Sequence, residues 1–379
     1  MSVTTTVNHA ELKSALAFAS LGLAKYPVVP VLTAVRVKIT PAGLELGAFD
    51  YETAATATIP GDAAYQETAE TLVFGTELTS AVGSLPTGKG TDRVTVTITD
   101  AGLTLLCDGW QAPVEALPAD AAAEYPGYPI LPPVTVTVDS AVFARSATRT
   151  AACAGTDDTL PVLMCVHMTA AAGMLTMAAT NRYRLAMDTQ PAAGTDGTAL
   201  VSAVLLAKFA KASDKDGKVS VHLGEDHVAL SDGTRTLITR AGIGEFIRYR
   251  KMFDGNTYPT SVTADAATLV KVVARAGKVT GKGERMGFGV TGSGVTLTAV
   301  RDGKVTGTQV VPATVTGPPA EAGFSPVYLA SVLSGITGEV VLRLQENVDK
   351  PMRVTSDDGF TAIVMPIRAK AESAFSKAA

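Results

Sequence analysis

Three stretches of this chain repeat one pattern, and that repetition limits the fold more than any other feature. Val35–Pro60 (VRVKITPAGLELGAFDYETAATATIP), Val166–Pro191 (VHMTAAAGMLTMAATNRYRLAMDTQP) and Gly287–Pro312 (GFGVTGSGVTLTAVRDGKVTGTQVVP) share it. Each runs as an alternating strand, a glycine turn, a second alternating strand, a break, and a third strand closed by proline. The turn glycines Gly43, Gly173 and Gly294 stand 130 and 121 residues apart, the spacing of tandem domains of similar size. A second set, Val94–Pro118, Val219–Ala241 and Val340–Pro366, also alternates apolar and polar residues across turns, as half-buried antiparallel strands do. Ahead of each of the six groups a short strand runs into a helical stretch. These stretches are Asn8–Leu23, Gly75–Leu85, Val138–Ala152, Val201–Ser213, Thr263–Val279 and Phe324–Ile336. Capping residues mark several starts: Asn8 with Glu11, Asp139, and Thr263 with Asp265. The chain thus reads as six strand–helix–strands units paired into three α+β domains, and 379 residues are too many for a single core. Boundaries fall near the proline-rich Ala123–Pro133 and near Asp254–Pro259, giving domains 1–128, 129–254 and 255–379.

Charge is distributed unevenly over this plan. The net charge is −4, so the molecule as a whole is no basic nucleic-acid binder, yet the helical stretches are locally basic. Lys271, Arg275 and Lys278 recur at i, i+4 and i+7, on one helical face. Arg145 pairs with Arg149, Lys208 pairs with Lys211, Lys13 sits on the first helix, and Lys282 and Arg285 follow the fifth in a loop. Past their first turns these helices carry no acids; the second and sixth carry no basic residues. A merely solvated face accounts for any one pair. Recurrence in four of six equivalent helices points to a shared basic surface, suited to a phosphate backbone that binds by charge and not by sequence.

Enzymatic signals are weak. GSLPTGKG (Gly83–Gly90) comes near a phosphate loop, but Gly90 stands where Ser or Thr would hold magnesium, and a strand follows where a helix is required. GKGERMGFG (Gly281–Gly289) misses the GxGxxG spacing and follows a helix. His9, His167, His222 and His227 are scattered, and the adjacent acids Asp157-Asp158 and Asp357-Asp358 do not flank a substrate. Cys107, Cys153 and Cys165 lack CxxC spacing and read as small buried hydrophobes. No catalytic set, metal or cofactor is therefore expected. The N-terminus lacks the pattern of a signal peptide, and no run approaches ~18 apolar residues, so a soluble cytoplasmic protein with no membrane association is expected.

One stretch remains unexplained. ATNRYRLAMDT (Ala179–Thr189) begins as an apolar strand, breaks at Thr180-Asn181, and sets Arg182 and Arg184 around Tyr183. ATNRYRLA resembles a motif of the bacterial DNA polymerase III beta subunit, the beta sliding clamp family. YPVVPVL (Tyr26–Leu32), EFIRYRKMF (Glu245–Phe253), FSPVYLASVL (Phe324–Leu333) and IVMPIR (Ile363–Arg368) are similar to further family segments in the same order. The resemblance implies three tandem clamp domains, each of two similar halves. Two copies would join head to tail as a homodimeric ring of six domains, with helices lining a hole for duplex DNA. It implies a processivity factor that tethers the replicative polymerase and has no catalytic site. Partners would be the polymerase III alpha subunit, the clamp loader and other proteins carrying a clamp-binding motif.

The resemblance also implies a peptide pocket. Leu163, Thr180, Arg182, Tyr183, Arg184 and Leu185 would form one wall. Ile247, Lys251 and Met252 would come from the connector, and Tyr328, Ile363, Val364, Met365, Pro366, Ile367 and Arg368 from the third domain. The chain departs from the family pattern at Arg182, where a glycine is usual, and at Ile247, where a proline is. It has no arginines around Gly83 or within Cys107–Gln111, has Lys278-Val279 where an apolar pair is expected at the subunit interface, and continues through Ala369–Ala379 beyond the usual end. Two alternatives stay open at this level: a clamp-fold ring with a secondary role, as a second copy or a phage-encoded clamp, and an enzyme built on repeated α+β domains.

Overall fold

The computed structural model describes residues 2–27, 29–61, 68–88 and 91–368. Val28 of the Tyr26–Leu32 segment, Lys89 and Gly90 of the GSLPTGKG loop, and the extension 369–379 lie outside the described residues. Helices occur at all six expected places: α1 (His9–Ala19), α2 (Gly75–Ser84), α4 (Ser140–Ala151), α5 (Ala203–Ala212), α6 (Ala266–Val279) and α7 (Pro326–Leu333). A further short helix, α3 (Ala119–Ala123), runs into the first proline-rich connector. Asn8 caps α1, its Oδ1 accepting from the backbone N–H of Ala10 (2.8 Å) and Glu11 (3.1 Å). At α6 the expectation for Thr263 is corrected. Thr263 lies within the strand Thr260–Asp265, opposite Val341, and Asp265 caps the helix by accepting from Thr268 N at 2.7 Å. The strand runs straight into the helix, so the capping position is the last strand residue.

The chain folds into two compact units, one of residues 1–141 with 211–241 and the other of 142–210 with 242–379. In the first unit, Val3–Asn8, Arg93–Thr99, Gly102–Cys107 and Trp110–Glu115 form a four-stranded antiparallel sheet in that order. Eight more strands follow the order Val136–Asp139, Lys218–Leu223, His227–Ser231, Arg235–Arg240, Thr53–Pro60, Gly43–Phe49, Ala34–Thr40, Ala69–Phe74. Pairing of Arg235–Arg240 with Thr53–Pro60 joins strands from two repeats. Beside that join the connector ring of Tyr128 lies 5.9 Å from Phe49, and the Arg36 guanidinium lies 4.2 Å above it. Its hydroxyl presses on Gly47, where a Cβ would come within 2.5 Å of it.

The second unit repeats the plan. Lys304–Pro312, Gly294–Arg301, Met286–Thr291 and Ala320–Phe324 form its four-stranded sheet. Its long sheet begins Gly197–Ser202, Cys165–Ala171, Met174–Thr180, Arg184–Pro191 and continues Phe360–Val364, Met352–Thr355, Glu339–Leu344, Thr260–Asp265, Thr314–Thr316. Here the join is Arg184–Pro191 with Phe360–Val364, in the register Leu185↔Ile363 and Asp188↔Phe360. Alternation in the strands follows from one face packing on helices. On α6, Leu269, Val272, Val273 and Ala276 turn inward against Phe288, Leu297 and Phe324. Each such large side chain is worth roughly 1.5–3 kcal/mol of burial, and Val273→Asp would break this core.

Matching positions in the first two repeats differ in kind. The tenth residue of α1 is Phe18 and of α4 is Arg149; the fifth residue of the third strand is Ala57 in one repeat and Asp188 in the other. Arg149 and Asp188 are both 1% exposed. Arg149 Nε donates to Asp188 Oδ2 at 2.5 Å and Nη1 to Asp358 Oδ2 at 2.8 Å, with the guanidinium 4.7 Å from the Phe360 ring centre. This corrects the expectation that Arg149 faces DNA. The i, i+4 spacing with Arg145 fixes that the two lie about 40° apart around the helix, not which of them faces solvent. Arg145 reaches the surface but is paired with Asp358 at 3.2 Å.

Candidate partner-binding groove and basic helix faces

The break in ATNRYRLA is a side-chain-built turn. Asn181 Oδ1 accepts from the backbone N–H of Tyr183 (3.1 Å) and Arg184 (3.0 Å), Arg182 N donates to Thr180 Oγ1 (3.1 Å), and Arg182 takes the left-handed φ of 77°. The first repeat uses the same device, with Asp50 Oδ1 accepting from Glu52 and Thr53 and Tyr51 at φ 72°. The turn leaves Tyr183 at the surface, stacked on Tyr328 with centroids 5.6 Å apart. Arg184 is committed inward. Its Nε donates to Cys153 O (3.4 Å), its Nη1 to Ser331 Oγ, and its guanidinium lies 5.0 Å from the Tyr328 ring centre. Burial lowers its pKa.

Beside this turn lies a groove of about 530 Å³. Leu163, Thr180, Arg182, Tyr183, Arg184, Leu185, Ile247, Lys251, Met252, Ile363 and Met365 line it, so eleven of the sixteen residues expected in the pocket come together. Tyr328 instead borders an adjoining depression of about 150 Å³, together with Leu163, Asp157, Asn181, Arg182 and Tyr183. Val364 is corrected: fully buried, it belongs to the core that contains Leu269 and Phe288, because neighbours on a strand point to opposite faces. Pro366, Ile367 and Arg368 do not line the groove; Met365 N donates to Tyr183 O at 2.8 Å, and Ile367 N to Gly323 O at 2.8 Å.

Leu185, expected as an accessible wall, is floor. It is 2% exposed and packs with Ala178, Phe246, Tyr249, Phe253 and Ile363. The aromatic residues of Glu245–Phe253 therefore anchor the connector, His167 stacking on Phe246 at 5.1 Å, while Ile247 and Met252 keep apolar surface toward solvent. Burial, with the charge of Arg250 adding to it, lowers the pKa of His167. Sequence reasoning missed Asp254, Asn256, Tyr258, Gln345, Lys350 and Pro351, which also line the groove. Asp254–Pro259 carried only a boundary signal, and the loop at Gln345–Pro351 carried none.

Of the residues expected to meet DNA, Lys13, Lys208, Lys211, Lys271, Arg275, Lys278 and Lys282 are exposed. Arg275 Nη1 donates to Gln309 Oε1 at 2.6 Å. Arg285 is half-buried across Gly323, where an added Cβ would meet its Cδ at 2.5 Å. All three cysteines are buried and free, and burial pushes the Cys153 thiol up to about 12 against the opposing charge of Arg184. Among the described residues no group of three His, Cys, Asp or Glu is placed to hold a metal ion, and no helix is long and apolar enough to cross a membrane.

Residues 137–246 match the family model of the DNA polymerase III beta subunit, central domain. The beta sliding clamp of Micrococcus luteus is 31% identical over 317 residues, covering 82% of this chain and 99% of that protein. The chain belongs to the beta sliding clamp family. The beta sliding clamp of Streptomyces coelicolor is 27% identical, over 94% of this chain and 97% of that one. The fold is shared with the sliding clamp from Pseudomonas aeruginosa solved with griselimycin bound, at a TM-score of 0.82 and 20% identity over 97% of this chain and 100% of that one. The architecture is thus the α+β DNA clamp fold, and the function is that of a DNA sliding clamp, the beta subunit of DNA polymerase III.

Proposed function

We propose that two copies of this chain close head to tail into a ring around duplex DNA and hold the replicative polymerase on its template. The reading divides the chain into clamp domains 1–128, 129–254 and 255–379 and places it in the cytoplasm. The observation that carries it is the exposed row Lys271, Arg275 and Lys278 on α6, a helix without a single acid in a chain of net charge −4. Lys13, Lys208, Lys211 and Lys282 extend the same character to other helices and to the loop after α6. Such a surface holds phosphates by charge and lets the duplex slide. Function then needs topology and electrostatics, with no catalytic site and no cofactor.

The groove is the receptor for short partner segments. An apolar floor of Leu185 and Ile363, flanked by Met252 and Met365 and bordered by cations, suits a segment with a glutamine and bulky apolar anchors. The polymerase III alpha subunit, the clamp loader and other carriers of a clamp-binding motif would compete for it. Loading onto nicked circular DNA, followed by linearisation, tests the reading: the protein should stay on the circle and run off the linear form. Equal retention on both would refute encirclement.

A further inference from the structure

We infer that the second repeat contains a buried hydration site between α4 and the strand Arg184–Pro191, holding about two water molecules. Five matched positions carry the inference. On α1 the seventh, tenth and eleventh residues are Ala15, Phe18 and Ala19, and the strand Thr53–Pro60 has Ala57 and Ile59 as its fifth and seventh. All of these are apolar, and each is at most 2% exposed. On α4 the same positions are Ser146, Arg149 and Thr150, and on Arg184–Pro191 they are Asp188 and Gln190. All of these are polar, and each is again at most 2% exposed. An apolar seam has been exchanged for a polar one, position by position, without loss of burial.

The side chains face one another. At about 3.6 residues per turn Ser146, Arg149 and Thr150 lie within about 100° of arc on α4, and alternation puts Asp188 and Gln190 on one face of the strand. The bond from Arg149 Nε to Asp188 Oδ2, at 2.5 Å, sets those two faces together. The third repeat shows the same arrangement: Val272, Arg275 and Ala276, at the same places on α6, border one depression with Thr308 and Gln309 of the strand Lys304–Pro312.

Protein groups use only part of the seam's hydrogen-bonding capacity. Ser146 Oγ, Arg149 Nη2, Thr150 Oγ1, Asp188 Oδ1 and both amide atoms of Gln190 have no hydrogen-bond partner among the described residues. Left unpaired, so many buried polar atoms would each carry a desolvation penalty, against the small net stability of a folded chain. The chemistry of the set identifies the ligand. The guanidinium and amide N–H groups need an acceptor, Asp188 Oδ1 and Gln190 Oε1 need a donor, and the two hydroxyls take either part. A molecule that both donates and accepts serves them all. Charge points the same way, because Arg149 and Arg145 are balanced by Asp188 and Asp358, which leaves no net charge to hold an ion. At about three hydrogen bonds each, two waters suffice for these atoms. Such waters solvate Asp188 without neutralising it, and its counter-charge is still Arg149.

A crystal structure of the full chain, at a resolution that shows ordered solvent, should place water within hydrogen-bond distance of Ser146, Thr150 and Gln190. In solution, oxygen-17 relaxation dispersion counts the waters held longer than those of the surface. The triple variant S146A/T150A/Q190I introduces the first repeat's residues and keeps the Arg149–Asp188 pair, so its count of long-lived waters should fall by about two. A seam without solvent density in the wild type, or an unchanged count in the folded variant, would overturn the inference. So would an anomalous peak in the seam of a bromide-soaked crystal, which would make the ligand an anion. If the triple variant does not fold, the wild-type density alone decides.

Discussion

Replacing Arg149 by phenylalanine, the residue at the matching position of α1, should destabilise the second unit by about 3–5 kcal/mol. The size follows from what each partner keeps. Asp358 is part-exposed and retains Ser356 Oγ at 2.5 Å and Arg145 at 3.2 Å, so its loss is small. Asp188 keeps nothing: it is 1% exposed, its Oδ2 loses the 2.5 Å bond to Arg149, and its Oδ1 has no hydrogen-bond partner among the described residues. The penalty is therefore mainly that of one carboxylate buried without a counter-charge. For a unit of about 200 residues it corresponds to a fall in Tm of roughly 10 °C. Adding Asp188→Ala, the first repeat's Ala57, removes the stranded charge and should return most of the lost stability, because well-packed apolar groups commonly match a buried ion pair. Calorimetry is the appropriate assay. The single tryptophan, Trp110, belongs to the other unit and would not report this one. An Arg149→Phe variant within about 1 kcal/mol of wild type, or a double variant no more stable than the single one, would refute the reasoning.

Ile247→Asp or Met252→Asp should weaken peptide binding by on the order of 2 kcal/mol without loss of fold, since both side chains line the groove and keep exposed surface; unchanged affinity would place the site elsewhere. Leu185→Asp should instead lower the thermal transition, because a charge at a position 2% exposed has no partner, and circular dichroism melts distinguish the two outcomes. Changing Lys271, Arg275 and Lys278 to alanine should weaken duplex binding and flatten its salt dependence by up to ~0.9 for each phosphate no longer neutralised, measured by fluorescence anisotropy. Burial opposes ionisation of Asp358, but hydrogen bonds from Arg149 and Ser356 and the charges of Arg149 and Arg145 outweigh it and hold its carboxyl below the ordinary value. Its contribution to stability is thus complete above about pH 4 and lost as pH falls through the folded value; acid titration of Asp358→Asn should show a shallower loss than wild type. Cys153, fully buried and raised to about 12, should not react with a thiol reagent until the chain unfolds.

Much of the architecture was legible because its signals are local. Alternation predicted the strands, glycines marked the turns, and the recurrence of one 26-residue pattern at Val35–Pro60 and Val166–Pro191 announced repeated units before any tertiary pairing was known. ATNRYRLA and IVMPIR were enough to indicate the family, and they do meet, through the register Leu185↔Ile363. What the chain could not disclose locally was orientation and company. Lys271 and Arg275 share the i, i+4 spacing of Arg145 and Arg149, yet Arg149 is interior, because a strand and a turn far along the chain bring Asp188 and Asp358 to meet it. Leu185 looked like an accessible wall until the connector aromatics closed over its far side, and Val364 looked like its neighbour until the pleat turned it the other way. Lys350 reached the groove with no sequence signal at all. Periodicity is a property of neighbouring residues; which face is buried, and which charges meet, depends on partners remote in sequence that only the paired sheet brings within reach.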